Sequence, residues 1–399
     1  MMKTFEITYF CLSKENYMHK IVLVLSVLAI LFQGCAQDQS NEKTATPIKR
    51  EQPKVEVAFV LADFLKENKD LDAAVEKVFT TLDDTAIVAQ LIMPAVGRLG
   101  QTDATIQAHI KQRIIGGVLM LNGTKTEFTN WIKKYETMND TIGNLPFLYS
   151  ADAEPSLFNR KIADAVTVKK ANEIKSVEEV KQCAELIAKE LNAIGINYNF
   201  APVVDMSPNQ TVGYRGFGAN PENLIPWSDA FIQTTQSYNI AATAKHFPGH
   251  GLVSGDTHKS LQMIDGELKE IGNYPKLIEN GILSIMVAHI GVINNPKYDT
   301  KGMPATTSET IVTKLLREEY GFRGLVVTDA MNMGGVASIP QCEVKAVSAG
   351  CDIILMPIDA KKAHSDILKK YKSDPAFKTK VDDSAKRVIR MKIALGLLK

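Results

Sequence analysis

Eight short apolar runs rich in β-branched residues recur along the chain, at residues 89–96, 114–121, 146–151, 197–204, 240–245, 284–289, 324–328 and 352–357. They do not alternate apolar with polar positions. A strand buried on both faces reads this way, which implies a parallel sheet covered by helices. Between the runs the apolar spacing changes to three and four, predicting helices over residues 176–194, 221–238, 308–320 and 359–372. Strand and helix thus take turns from about residue 55 to the end, the order of βα units. Eight such strands predict a single α/β domain over residues 55–399, a closed (β/α)8 TIM barrel in preference to an open doubly wound sheet. No internal repeat, low-complexity block or proline-rich linker divides that stretch.

The polar residues that interrupt the pattern fall at one kind of place. Asp152 follows the third run and Asp205 the fourth, Lys245 and His246 close the fifth, His289 ends the sixth, and Asp329 follows the seventh. In a barrel the carboxyl ends of the strands share one face, and active sites are built there. One ionisable residue at a strand end is commonly structural; five runs ending alike predict a catalytic face. His246, His250, His258 and His289 lie in the same half of the chain. Their spacing matches no metal-ligand motif and the neighbouring carboxylates are scattered, so no metal and no cofactor is implied.

Charge narrows the partners. The 399 residues carry 46 Lys and Arg against 45 Asp and Glu, a formal net charge of +1, which excludes nucleic acid as a main partner because that requires a basic surface. Ahead of the barrel, residues 21–32 are apolar except for Ser26, preceded by His19 and Lys20. The run is too short for a bilayer, which takes roughly 20 residues, and it has the layout of a secretory signal. Leu31-Phe32-Gln33-Gly34-Cys35 resembles a bacterial lipoprotein box with Cys35 as the lipid-modified residue. The expectation is a signal over residues 1–35 (Met18 being an alternative start), a flexible tether over 36–54, and export to the cell envelope with membrane contact through the lipid. A cleaved signal without lipid is the other reading. Cys183, Cys342 and Cys351, all beyond Cys35, show neither a disulfide framework nor zinc spacing. Cys183 falls on an amphipathic helix as a small buried hydrophobe, and a Cys342–Cys351 bridge stays open for an exported protein.

The densest chemistry follows the fifth run, where Lys245-His246-Phe247-Pro248-Gly249-His250-Gly251 precedes Gly255-Asp256-Thr257-His258-Lys259-Ser260. A histidine titrates near neutrality and can give and retake a proton. Asp256, two residues before His258, can bond one ring nitrogen, fix the tautomer and stabilise the imidazolium; taken alone it could equally cap a turn. Gly251 and Gly255 would let this loop fold over a bound ligand. Asp329, at the end of an apolar strand, is suited to be a rigidly held carboxylate nucleophile.

These segments, in this order, resemble the β-N-acetylglucosaminidase branch of glycoside hydrolase family 3. Other pieces match as well: Asp152-Ala153-Glu154 with Arg160 eight residues on, Ala201-Pro202-Val203-Val204-Asp205, Arg215-Gly216-Phe217-Gly218, Met303-Pro304-Ala305-Thr306, and the stretch 321–333 around Asp329. The resemblance covers roughly residues 82–397. It implies retaining hydrolysis through a covalent glycosyl–Asp329 intermediate, with His258 as acid/base and Asp256 orienting it, and a sugar held by Asp152, Arg160, Arg215, Lys245 and His246. Lys245 is expected to keep Asp329 charged, with Asp205, His250 and His289 in support. The implied substrate is a terminal N-acetylglucosamine on a peptidoglycan fragment or a chitin-type oligosaccharide, turned over by a monomer. One departure stands out: where the family has Glu-Gly-Gly-Arg, Glu154 runs into Pro155-Ser156-Leu157-Phe158. Alternatives are a phosphorylase, since a histidine donor leaves no fixed anion to repel phosphate; a β-glucosidase on the same scaffold; and a catalytically inactive glycan-binding lipoprotein.

Overall fold

Alternate side chains of each apolar run enter two different cores, which is why the runs show no polar face. The computed structural model describes residues 58–206 and 213–398; the signal with Cys35 and the tether over 36–54 lie outside the described residues. The strands are β1 (Ile92–Met93), β2 (Ala95–Val96), β3 (Gly117–Met120), β4 (Leu148–Ala151), β5 (Tyr198–Asn199), β6 (Ala241–Phe247), β7 (Gln262–Asp265), β8 (Ser284–Val287), β9 (Ile290–Ile293), β10 (Leu325–Thr328) and β11 (Ile354–Leu355). On β3, Val118 and Met120 pack outward under the helices while Leu119 points inward; Ile285 and Val287 divide from Met286 on β8 in the same way. The inward set, with Tyr198, Phe200, Leu325 and Val327, forms a core of its own, completed by Val388, Met391 and Ala394 of the helix Pro375–Ala394.

Seven strands form one curled parallel sheet in the order β2-β3-β4-β5-β6-β8-β10, and β1 pairs separately with β11. The predicted closed eight-stranded barrel is corrected here, because the sheet does not continue around as one ladder. Pro94 lacks an N–H and splits the first run into β1 and β2. On the other side, β10 and the eighth run form an isolated bridge, Val327–Ile353, rather than a ladder: the Asp352 carboxylate takes the Val326 N–H at 2.8 Å and the Thr328 hydroxyl the Leu355 N–H at 3.0 Å. A further two-stranded sheet, β7 with β9, lies outside the βα pattern.

The helices follow their sequence signals. Ser176 caps Val177–Ile194 by accepting from the Glu179 N–H, and Gly195 ends it at φ 98°. Pro221–Ser237 starts on proline behind the cap Asn220. Ala360–Ser373 matches its predicted span, whereas the helix expected over 308–320 is wound as a π-helix from Thr310 to Glu319. Among the described residues no helix is long and apolar enough to cross a membrane. Cys183, Cys342 and Cys351 are buried free thiols, so the Cys342–Cys351 bridge is not made; the Cys342 Sγ faces Glu343 and the Cys351 Sγ the Thr306 carbonyl.

Candidate active site

Beyond the carboxyl ends of the parallel strands lies a cavity of about 540 Å3. Asp152, Arg160, Arg215, Lys245, His246, Asp256, His258 and Asp329 all line it, so the residues singled out from the sequence come together in space. Lys245 and His246 are neighbours, and neighbours on a regular strand face opposite sides. The β6–β8 register shifts between Lys245 and Phe247, and such a bulge re-aims a side chain, letting both residues reach the cavity.

One wall is a buried ion network. Asp152 Oδ1 lies 2.9 Å from Lys245 Nζ and its Oδ2 3.2 Å from Lys161 Nζ. Glu154, wholly buried, accepts from Arg215 Nε at 2.8 Å and Nη2 at 2.6 Å and meets Lys245 Nζ at 2.5 Å. Burial alone would raise both carboxyl pKa values; Lys245 and Lys161 around Asp152, and Arg215 and Lys245 around Glu154, reverse this and hold both groups ionised. Burial likewise works against the Lys245 and Arg215 cations, and the two carboxylates overcome it. The sequence reading assigned Glu154 no role and missed Lys161. Arg160 sits at the exposed cavity edge on the short helix Phe158–Lys161, and it is Lys161 that reaches Asp152.

A second buried group orients His246. Asp205 Oδ2 lies 2.6 Å from His246 Nδ1, while its Oδ1 accepts the backbone N–H groups of His246 and His250, each at 3.0 Å. Its carboxyl is lowered because the His246 and His250 imidazoles outweigh burial. Glu270, absent from the sequence expectations, gathers two loops by accepting the N–H groups of Met206 at 2.5 Å, Gly251 at 3.2 Å and Leu252 at 3.3 Å. Burial and the nearby Asp205 charge push its pKa from 4.5 up to about 8. Between those values the folded protein holds a proton that the unfolded chain has released. This contribution to stability is therefore full below pH 4.5 and is lost as pH rises through 8, at up to about 1.4 kcal/mol per pH unit. The melting temperature is expected to fall between pH 6 and 9, and Glu270→Gln to flatten that fall. Parallel wild-type and variant melting curves would show that Glu270 is not its source.

Asp329 stands at the end of β10 with its N–H on the Val287 carbonyl at 3.0 Å and its Oδ1 accepting from the Ala330 N–H at 2.8 Å. Burial raises its pKa, but the His246 and His289 imidazoles, the Ala330 amide and Lys245 bring it below the ordinary value. Lys245 takes part in this as expected, alongside the two histidines, while its ammonium also bonds Asp152 and Glu154 directly.

The opposite wall is the loop carrying the Asp-x-His pair. His258 Nδ1 lies 2.8 Å from Asp256 Oδ1, which also accepts the His258 N–H at 3.0 Å. The His258 side chain is 57 % exposed and that of Asp256 34 %, so the imidazole is open to both solvent and cavity. Thr257 between them is buried, its Oγ1 2.7 Å from His250 Nε2. The flanking glycines serve close approach more than freedom: a Cβ on Gly251 would stand 1.4 Å from the Met206 carbonyl oxygen, and one on Gly255 would meet the Gln262 side chain at 1.8 Å. Among the described residues no cluster of three or more His, Cys, Asp or Glu is arranged to hold a metal ion. Asn122, Tyr214, Asn332 and Met356 also line the cavity. Of these, Asn122 was findable, since it directly follows the second apolar run; its buried Oδ1 has no partner among the described residues.

Comparison with known proteins follows the same lines. The sequence profile described as Glycosyl hydrolase family 3 N terminal domain matches residues 81–391. A beta-hexosaminidase of Hydrogenovibrio crunogenus is 33% identical over 211 residues, which is 50% of this chain and 58% of that protein. A beta-N-acetylglucosaminidase/beta-glucosidase of Cellulomonas fimi is 27% identical over 306 residues, 71% of this chain and 53% of its own length. The chain thus spans little more than half of either relative. Among solved structures, a glycoside hydrolase family 3 beta-N-acetylglucosaminidase from Paenibacillus sp. str. FPU-7 superposes with a TM-score of 0.72 at 27% identity, covering 79% of this chain and 63% of that one.

Proposed function

The chain belongs to glycosyl hydrolase family 3, and on that basis we propose that it is a retaining exo-β-N-acetylglucosaminidase. The observation that carries the reading is the pairing of a buried carboxylate, Asp329, with an exposed Asp256–His258 couple across one cavity. Double displacement needs a nucleophile that stays ionised and a proton carrier that changes state twice. In the first step an Asp329 oxygen bonds to the anomeric carbon while the glycosidic bond breaks, and the His258 imidazolium protonates the departing oxygen. In the second step neutral His258 takes a proton from water as the water oxygen replaces Asp329 on the same carbon. Asp256 stabilises the imidazolium that enters the first step and is regenerated by the second. Asp152, Lys245, His246, Arg215 and Arg160 hold the sugar, the first three from rigid positions at strand ends. The names borne by the relatives support an acetamido sugar, and a peptidoglycan or chitin-type oligosaccharide supplies one. Export with lipid attachment at Cys35 is part of the same proposal and is supported by the apolar run and lipoprotein-like box of residues 21–35.

Aryl β-N-acetylglucosaminide and aryl β-glucoside, compared on the same preparation with and without phosphate, test this reading. The acetamido substrate is expected to be preferred in kcat/KM by about 10²-fold or more, with free sugar as product and no dependence on phosphate. Preference for the glucoside would make the protein a β-glucosidase. Acceleration by phosphate with release of a sugar phosphate would make it a phosphorylase.

A further inference from the structure

We infer that Gly334 and Gly335 form the seat that positions the His258 loop over the cavity. The inference rests on His258 being the proton carrier and adds what holds it in place.

Two consecutive N–H groups grip two consecutive carbonyls. Gly334 donates to the His258 carbonyl oxygen at 2.9 Å and Gly335 to that of Thr257 at 3.0 Å. The approach is so close that a Cβ on Gly334 would stand 2.2 Å from the Lys259 carbonyl oxygen and 2.5 Å from its carbon. Those are backbone atoms, so a side chain cannot be admitted unless the loop itself moves. Neither glycine has positive φ. The requirement for glycine is therefore space against the loop, with no left-handed conformation involved. Gly335 is tight as well, since its Cβ would meet the His289 Cβ at 3.0 Å and the Thr257 carbonyl oxygen at 3.1 Å.

The seat is tied to the nucleophile. Four residues separate Gly334 from Asp329, and the segment between them is fixed from both sides. Met331 donates to the Leu355 carbonyl at 2.9 Å, Met333 to that of Ala330 at 3.0 Å, and His289 Nε2 lies 3.0 Å from the Ala330 carbonyl oxygen. One short rigid element therefore sets both the carboxylate at the end of β10 and the height of the loop that carries His258. The Asp256–His258 bond cannot do this, because it lies wholly within the loop and travels with it. Apart from the seat, the Thr257–His250 bond ties the middle of this loop to the β6 side.

Gly334→Ala is expected to unseat the loop while leaving Asp329 and the ion network in place. Two readouts test it on the full chain. Lys259 is exposed in the loop, so trypsin is expected to cut after Lys259 faster in the variant at unchanged global stability; this readout needs no activity at all. In kinetics, kcat/KM on a phenyl β-N-acetylglucosaminide, whose leaving group needs a proton, is expected to fall by about 10²-fold, the cost of misplacing a catalytic group by about 1 Å. The dinitrophenyl substrate, whose leaving group departs unprotonated, is expected to fall far less, the pattern His258→Ala itself should give. Gly335→Ala, the milder intrusion, is expected to show the same signature at smaller size and serves if Gly334→Ala fails to fold. Unchanged trypsin cleavage overturns the seat. Faster cleavage with equal losses on both substrates overturns its role in proton transfer. If His258→Ala shows no leaving-group dependence, the assignment of His258 fails, a result distinct from failure of the seat because the cleavage rate is read separately.

Discussion

Asp329→Ala is expected to lower kcat on an aryl β-N-acetylglucosaminide by on the order of 10⁵-fold, as removal of a covalent nucleophile does in other enzymes, with little loss of fold. The size of the effect follows from the setting. Asp329 is fixed through its own N–H on Val287 and through the Ala330 N–H on its carboxylate. Its charge is sustained against burial by His246, His289, the Ala330 N–H and Lys245 together. Among the described residues no other carboxylate of the cavity can take its place: Asp152 is tied to Lys245 and Lys161, and Asp256 to His258. The alanine also leaves space beside the anomeric carbon. Added azide is therefore expected to restore turnover and to yield the glycosyl azide of inverted configuration. The measurement is kcat with and without azide, together with the configuration of the product. Retention of more than a tenth of the wild-type rate would remove Asp329 from the nucleophile's role.

The second large effect is on stability. Glu154→Ala is expected to cost about 3–5 kcal/mol, the usual consequence of breaking a buried ion pair from one side. Glu154 is fully buried and holds Arg215 through two bonds and Lys245 through a third; its loss leaves two buried cations to share Asp152. Arg215 anchors the segment after residue 212, so the same change is expected to raise KM. Urea denaturation of the two proteins checks the first part and initial rates the second. A shift below about 1 kcal/mol would mean that the cations relax into solvent without cost.

These two residues mark how much of the site the chain itself displayed. Asp329 was legible because a charge at the end of an unbroken apolar run contradicts its surroundings, and the Asp-x-His pair because its partners are two residues apart. Glu154 was not, although it stands in the same motif as Asp152, because its partners are 61 and 91 residues further along. Glu270 was hidden for the same reason: it bonds backbone N–H groups, which no side-chain pattern reveals. Gly251 and Gly255 were read as giving the loop freedom, whereas Gly251 is small because the Met206 backbone passes within contact distance and Gly255 because the Gln262 side chain does.

The sequence by itself determined the alternation of buried strands and covering helices, and with it the ends at which charges gather. Apolar periodicity and strand-end polarity are properties of local segments and survive in one dimension. Tertiary structure alone decided that the eighth run joins its neighbour by an isolated bridge and not by a ladder, that a bulge on β6 turns both Lys245 and His246 into the cavity, and that the Lys245 ammonium bonds Asp152 and Glu154. Each of these depends on which distant groups compete for the same N–H, carbonyl or charge. That competition is settled only when the segments are brought within about 3 Å of one another.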